Sequence, residues 1–154
     1  MTTPSSDRRT LEQRYAANVH AKVQSFADAH PTEDQHSDKQ KNIVKRNTYG
    51  GMAHKLPVLI RTAGLMQALH FASTRKKEDK PNPVGDLVRD LAAVLDTNAD
   101  ALLARTREAS VPEYMHLTRQ VLAVLVWFKR FAQSILDVDG SEQTDDRANE
   151  GAQP

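Results

Sequence analysis

The residues best suited to do chemistry are lysines and arginines in a tract without carboxylates. Between Lys39 and Lys77 there is no Asp or Glu, although the chain holds 20 of them. A surface helix normally mixes both signs of charge, and an acid-free surface creates a positive field that attracts polyanions. The tract therefore predicts contact with phosphate backbones, the alternative being a solvated face that happens to lack acids. Its nine basic residues are Lys39, Lys41, Lys45, Arg46, Lys55, Arg61, Arg75, Lys76 and Lys77.

Arg61 is the sharpest single candidate for a phosphate contact within this tract. It follows the apolar segment 56–60 (LPVLI) and stands three residues before Gly64, with His54 and Lys55 on the other side of that segment. An arginine at the end of an apolar segment, beside a glycine junction, is placed to reach solvent and bind a phosphate group.

The sequence holds no pattern typical of an active site. No two of its six histidines form a His-x-x-x-His pair, and there is no cysteine. Metal-ligating and nucleophilic sites need such residues at close spacing. The pair Gly50-Gly51 lacks the Lys-Ser/Thr of a phosphate-binding loop. We therefore expect no enzymatic activity, no metal and no cofactor. The histidines are His20, His30, His36, His54, His70 and His116.

Charge is divided unevenly along the 154 residues. Residues 137–154 hold six acids and one arginine, residues 1–7 hold one acid, and residues 8–136 therefore carry a net charge of +7. We predict one domain over 8–136, with a disordered leader over 1–7 and a disordered acidic tail over 137–154. The N-terminus is polar, and the longest apolar run, Val121–Phe128, is far shorter than the ~20 residues of a membrane span. We expect a cytoplasmic protein.

The elements that position these residues are helices throughout. Apolar residues recur at helical spacing in one stripe near the start of the chain, and Thr10 with Gln13 predicts a capping box there. The residue before Pro31 avoids the helical region, which predicts the end of this first helix. We predict an all-α, compact bundle of five or six helices. The stripe consists of Leu11, Tyr15, Val19, Val23 and Phe26.

Further helices are predicted from their starting residues. Asn82-Pro83 begins one, Thr97 or Asn98 caps a short one, and the segment 110–113 (SVPE) begins the longest, which extends to about Leu136. The segment 41–62 is harder to interpret, because Gly50-Gly51 and Pro57 oppose a straight helix. There we expect a kinked or broken helix, with a junction at Gly64.

The last helix has a polar side that carries the only tryptophan. At 100° per residue, Trp127 lies in the same sector as Arg119 and Arg130, away from the apolar stripe. Two interpretations stay open. Trp127 packs against a neighbouring helix, or it is an exposed anchor for a partner protein or a stacking platform for a base. The apolar stripe, assigned to the core, is Tyr114, Leu117, Val121, Leu125, Phe128 and Ile135.

Three segments resemble the small α-helical subunit of the type III-B CRISPR Cmr effector complex. The central one is 55–71 (KLPVLIRTAGLMQALHF). The segment 11–16 (LEQRYA) is similar to that family's first-helix motif. Glu113-Tyr114 followed by 127–132 (WFKRFA) is similar to its last. The three stand in the family's order and span about residues 10–136.

This resemblance implies a non-catalytic subunit. It would stack beside the backbone subunits that bear the crRNA, next to the large subunit and copies of itself, and help to hold crRNA paired to target RNA. The polar sector of the last helix predicts a partner interface at Trp127 and Arg119. By analogy with the family, RNA contact is expected at Lys45, Lys55, Arg61, Lys129 and Arg130. The alternatives are a stand-alone helical DNA-binding regulator, for which no helix-turn-helix is evident, and a protein-only adaptor.

Overall fold

The computed structural model describes residues 8–33, 38–74 and 82–140, and it contains six helices. Within those ranges there is no strand, so the predicted all-α architecture is confirmed. The predicted leader, the residues Arg75, Lys76 and Lys77, and most of the acidic tail lie outside the described residues. The helices are α1 (Leu11–Ala29), α2 (Lys39–Ala63), α3 (Leu65–Thr74), α4 (Pro83–Val94), α5 (Ala99–Glu108) and α6 (Val111–Ser134).

The helix starts follow local side-chain chemistry. Thr10 and Gln13 form a reciprocal capping box at α1. The Asn82 side chain accepts a hydrogen bond from the Val84 amide at 3.1 Å, and the Asn98 side chain accepts one from the Ala101 amide at 2.8 Å. Each cap satisfies an amide that the first helical turn leaves without a partner. The predicted starts of α1, α4 and α5 are therefore confirmed.

The two longest helices, α2 and α6, pack against each other and organise the core. They run antiparallel, because Gly50 of α2 lies beside Val138, just after α6, while the Met66 amide, just after α2, donates to the Tyr114 hydroxyl at 3.0 Å. The helix α1 also packs on α6, and α3 and α4 pack on α2. Large side chains that are fully buried in this core include Tyr49, Leu56, Leu65, Leu69, Leu87, Leu91, Leu117, Leu125 and Phe128.

The sequence predicts that α2 is kinked or broken, and the break is wrong, because the helix continues through both predicted interruptions. It runs without a gap through Gly50, Gly51 and Pro57. An interior glycine costs about 1 kcal/mol and an interior proline about 3 kcal/mol. These costs are offset by packing, since each large apolar side chain that is fully buried contributes ~1.5–3 kcal/mol. On α2 the buried apolar side chains include Tyr49, Met52, Leu56 and Ile60.

Gly64 forms the predicted junction between α2 and α3. Its φ of 91° lies in the left-handed region that favours glycine. Its amide donates to the Ile60 carbonyl at 2.9 Å, and its carbonyl accepts from the Ala68 amide at 3.1 Å. One residue thus ends α2 and begins α3, which fixes the direction of the chain just after Arg61.

After α6, the residues Ile135–Gly140 turn back across α2, and we call this segment the C-terminal strap. Val138 is fully buried, although the predicted domain boundary lies two residues before it. Its amide donates to the Ala132 carbonyl at 3.0 Å, and its carbonyl accepts from His54 Nε2 at 3.0 Å. Asp137 has a positive φ of 57°, which turns the chain toward α2. The folded unit therefore includes residues that composition alone assigned to the tail.

A buried polar pair joins α2 to α4 inside the core. The Tyr49 hydroxyl donates to Asp90 Oδ2 at 2.8 Å, and the Tyr49 ring stacks on Phe26 with centroids 4.1 Å apart. Burial raises the pKa of the Asp90 carboxyl, while the hydrogen bond from Tyr49 and the charge of Arg89 oppose that rise. A buried carboxyl needs such a donor, because a buried polar atom without a partner is costly.

Candidate nucleic-acid interface

The helix α2 carries three of the predicted RNA-contact residues on its outer surface. Arg61 is exposed in the last turn, and Lys45 and Lys55 are half-buried. Lys55 Nζ lies 5.9 Å from the ring centroid of Phe71 on α3, within the range of a cation–π contact. Because α2 contains no acidic residue, its outer surface carries positive charge along its whole length.

Helical geometry does not bring these three residues onto one face. At 100° per residue, Lys45 and Arg61 point about 160° apart around the α2 axis. Lys55 points about 80° from Lys45 and about 120° from Arg61, on the opposite side of the axis from the sector between those two. At a rise of 1.5 Å per residue, Lys55 and Arg61 are about 9 Å apart along the axis. Lys55 and Arg61 are therefore close along the axis, but no single face of α2 presents all three bases.

Arg46, a further base of α2, serves the fold. Its Nε donates to the His30 carbonyl at 2.8 Å and its Nη2 donates to the Ala27 carbonyl at 3.0 Å, at the C-terminal end of α1. Cations are favourable there because the last carbonyls of a helix lack partners. Burial lowers the pKa of the Arg46 guanidinium, and the charge of Asp28 opposes this. The number of basic residues along the tract therefore overstates the charge available to a ligand.

His54 flanks the Arg61 segment in sequence, but the structure places it in the interior. Its side chain is buried, and Nε2 donates to the Val138 carbonyl of the C-terminal strap. One signal for this position is present in the sequence: His54 is four residues after Gly50 and thus on the same face of α2. His54 positions the strap and presents no surface to a ligand.

The helix α6 provides the other predicted contacts. Arg119, Lys129 and Arg130 are all exposed. Glu113, in the first turn, is the only acid among the residues of α6, so its outer face is positive from there to its end. Exposed apolar side chains lie on the same helix at Met115 and Val126. The surface of α6 thus combines cations with apolar groups, a combination suited both to nucleic acid and to protein partners.

Trp127 belongs to a row of π-systems, the aromatic row, which consists of His20, Phe131, Trp127 and Arg130. The His20 ring meets Phe131 edge-on with centroids 5.1 Å apart, and Phe131 stacks on Trp127 at 5.8 Å. The Arg130 guanidinium carbon lies 5.9 Å from the Trp127 ring. Trp127 is half-buried, so it both packs against its neighbours and keeps part of its ring at the surface. The two interpretations of Trp127 are therefore compatible.

The structure thus brings Trp127 and Arg130 into contact, while Arg119 lies elsewhere on the exposed part of α6. Across the three described ranges, no group of three or more His, Cys, Asp or Glu side chains is arranged to hold a metal ion. In the same ranges, no helix has the length and apolar character required to cross a membrane. What the arrangement can do chemically is bind anions and stack rings.

The chain is similar to proteins of one described family. The family described as "CRISPR-associated protein (Cas_Cmr5)" matches residues 11–135. A relative named "CRISPR system Cmr subunit Cmr5", from Thermus thermophilus, is 47% identical over 93 residues, which are 60% of this chain and 78% of the relative.

A solved structure shows the same fold. It is the crystal structure of a CRISPR-associated Cmr5 family protein, also from Thermus thermophilus, with a TM-score of 0.65 and 39% sequence identity. The match covers 82% of this chain and 97% of that one. The sequence match and the fold therefore agree over most of the chain, and the chain belongs to the Cmr5 family of CRISPR Cmr subunits.

Proposed function

We propose that this protein is a non-catalytic, RNA-contacting subunit of a type III-B CRISPR effector complex in the cytoplasm. It stacks beside the backbone subunits that bear the crRNA and helps to hold crRNA paired to target RNA during antiviral defence. The observation that carries this proposal is the outer surface of α2 and α6. Its cations at Lys55, Arg61, Lys129 and Arg130 are accompanied by one acid in the first turn of α6.

Backbone phosphate contact is the chemistry that such a surface performs best. Lysine and arginine bind phosphate oxygens without reading sequence, and these contacts position a protein along a strand. A subunit that must accept every guide and every target needs this independence of sequence. The surface acts on RNA by holding it, and cleavage is assigned to another subunit.

Protein partners are assigned to the aromatic row and to Arg119. Interface anchors are enriched in tryptophan and arginine, which bury large areas when a partner covers them. A half-exposed Trp127 braced by Phe131 is already held in one orientation, so little side-chain entropy is lost on binding. The partners proposed are the backbone and large subunits of the complex and further copies of this chain.

Arg61→Ala tests the RNA contact. Because Arg61 is exposed in the last turn of α2, we expect little change in the melting temperature of the subunit. We expect the assembled complex to bind target RNA about threefold to tenfold more weakly, which corresponds to the net contribution of about 0.5–1.5 kcal/mol from one hydrogen bond at a solvent-exposed site. The measurement is an RNA titration of complexes containing either form. Arg14→Ala, the same change at an exposed site on α1, should leave binding unaltered.

An Arg61→Ala complex that binds RNA like the unmodified one would remove Arg61 from the interface. If the variant subunit melts early while its folded fraction binds normally, Arg61 serves the fold.

Trp127→Ala tests the partner interface. A fully buried tryptophan costs ~3–5 kcal/mol when truncated, but Trp127 is only half-buried. We therefore expect the lone subunit to lose about 1–2 kcal/mol and stay folded, while its co-purification with the other Cmr subunits falls severalfold. Phe128→Ala is the control, because Phe128 is fully buried at the next position and should unfold the subunit. Normal incorporation of folded Trp127→Ala protein would remove Trp127 from the partner interface.

A further inference from the structure

We propose that the acidic C-terminal segment 141–154 docks on the outer surface of α2 and competes there with RNA. The proposal rests on the proposed function, since it assigns a second occupant to the phosphate-contact surface. Three features carry it: the place where the described chain ends, the opposite charges of the two segments, and the length of the acidic segment.

The C-terminal strap fixes the origin of this segment beside the middle of α2. Gly50 makes room for Val138, because a Cβ at residue 50 would lie only 2.7 Å from the Val138 Cβ. His54 binds the Val138 carbonyl at 3.0 Å. Gly140 is the last described residue, and a Cβ added to it would lie 3.9 Å from His54 Nδ1. The chain therefore leaves the folded unit beside His54 of α2. His54 is one residue before Lys55 and about two helical turns before Arg61.

The charges of the two segments are complementary. The helix α2 contains six basic residues and no acid, and one of the six, Arg46, is held by the carbonyls of α1. The segment 141–154 contains four acids and one arginine, a net charge of −3. It contains no large apolar side chain whose burial would favour packing into the core. Its main means of docking is therefore electrostatic attraction. The acid-free helix beside which the segment begins is α2.

The segment is long enough to cover any part of α2. Fourteen residues reach at most about 46–50 Å when extended, whereas the 25 residues of α2 are about 38 Å long. Arg61 lies about 10 Å along the axis from His54, and Lys41 about 20 Å in the other direction. Because the segment is tethered, its local concentration at α2 is on the order of millimolar. A weak electrostatic contact is therefore populated and must be displaced by RNA.

The first test needs no RNA. Backbone amide spectra are compared for the full chain and a full-length variant with four tail neutralisations, at about 50 mM and about 500 mM salt. We expect shift differences on α2 amides between residues 41 and 62 at low salt, which fade at high salt. The absence of such differences, or their restriction to α6, would overturn the proposal. The tail substitutions are Glu142→Gln, Asp145→Asn, Asp146→Asn and Glu150→Gln.

The second test measures competition, with a control for net charge. The tail variant should bind a labelled oligouridine about threefold to tenfold more tightly than the unmodified chain at low salt, the range expected for releasing a few surface ion pairs. A control variant with four neutralised acids elsewhere should tighten binding distinctly less. Equal tightening by both would show a general effect of net charge and overturn competition. The control substitutions are Glu33→Gln, Asp96→Asn, Asp100→Asn and Glu108→Gln, all at exposed positions.

The two tests separate this proposal from the proposed function. Docking of the tail on α2 in the spectra, without oligouridine binding by any variant, would leave the docking intact and remove the RNA contact. Oligouridine binding that is salt-dependent and indifferent to the tail, without spectral changes on α2, would retain the RNA contact and remove the tail as its competitor.

Discussion

Gly50→Ala is expected to destabilise the subunit by about 1–3 kcal/mol, the cost of forcing extra atoms into a packed core. An alanine Cβ at this position would lie 2.7 Å from the Val138 Cβ and 2.8 Å from its Cγ1. One of these close atoms is the Val138 Cβ, which a change of side-chain rotamer cannot move. The strap must therefore shift away from α2, and the hydrogen bond from His54 to Val138 stretches with it. Denaturant unfolding of the isolated subunit measures the loss.

Gly51→Ala is the matched control, one residue along the same helix. A Cβ at Gly51 would meet no atom within 4 Å, and alanine is favoured over glycine inside a helix by about 0.5–1 kcal/mol. We expect this variant to be as stable as the unmodified chain or more stable. If both substitutions change stability in the same direction and by the same amount, the close approach of the strap to Gly50 is not what the glycine provides.

Tyr49→Phe is expected to cost about 1.5–3 kcal/mol, the range for removing a hydrogen bond to a charged group. Asp90 would keep its place in the core, with only 8% of its surface exposed. Its Oδ2 would lose the Tyr49 donor, and the nearest Arg89 nitrogen lies 3.9 Å from Oδ1. The ring stacking with Phe26 is retained in this variant, so the change isolates the hydroxyl. Chemical denaturation near neutral pH gives the value.

Asp90→Asn provides the corresponding pH test. Because burial raises the pKa of Asp90 in the folded state, the folded chain holds that proton more tightly than the unfolded chain. Stability from this group is present at low pH and is lost as pH rises from the unfolded pKa, about 4, through the folded pKa. Asparagine still accepts from Tyr49 but does not titrate.

The stability of Asp90→Asn minus that of the unmodified chain should therefore increase with pH between about 4 and 7. Taking the difference removes the titration of the other acids. A difference that is flat across this range, or that decreases, would contradict an elevated pKa at Asp90.

Local chemistry made the helix starts predictable. Thr10, Asn82 and Asn98 each act on amides two or three residues away, so their role is readable from a few letters of sequence. Gly64 was predictable for the same reason, because its positive φ is a local property. The continuity of α2 through Pro57 was not predictable. It depends on the packing of α3, α4 and α6 around α2, and the local sequence does not indicate those contacts.

The surface was predictable in composition but not in detail. The absence of acids correctly marked α2 as a positive helix. However, which cations remain for a ligand depends on tertiary contacts, since Arg46 reaches the end of α1. His54 likewise reaches the strap, and the burial of Val138 depends on a notch at Gly50 far earlier in the chain. Periodicity cannot reveal such long-range pairs.

The most direct test of the central claim is the salt dependence of single-stranded RNA binding by the isolated subunit. Each phosphate neutralised on a single strand contributes about −0.7 to the slope of log affinity against log salt. Three to five contacts predict a slope between about −2 and −3.5, which should approach zero when all five bases predicted from the sequence to contact RNA are neutralised. Five neutralised bases elsewhere should leave most of the slope in place. The contact variant is Lys45→Gln, Lys55→Gln, Arg61→Gln, Lys129→Gln and Arg130→Gln, and the control is Arg8→Gln, Arg9→Gln, Arg14→Gln, Arg105→Gln and Arg107→Gln.

A steep slope that is lost in the contact variant and kept in the control is the predicted result. Binding that does not depend on salt, or a slope that both variants reduce equally, would contradict an RNA-contact surface on α2 and α6.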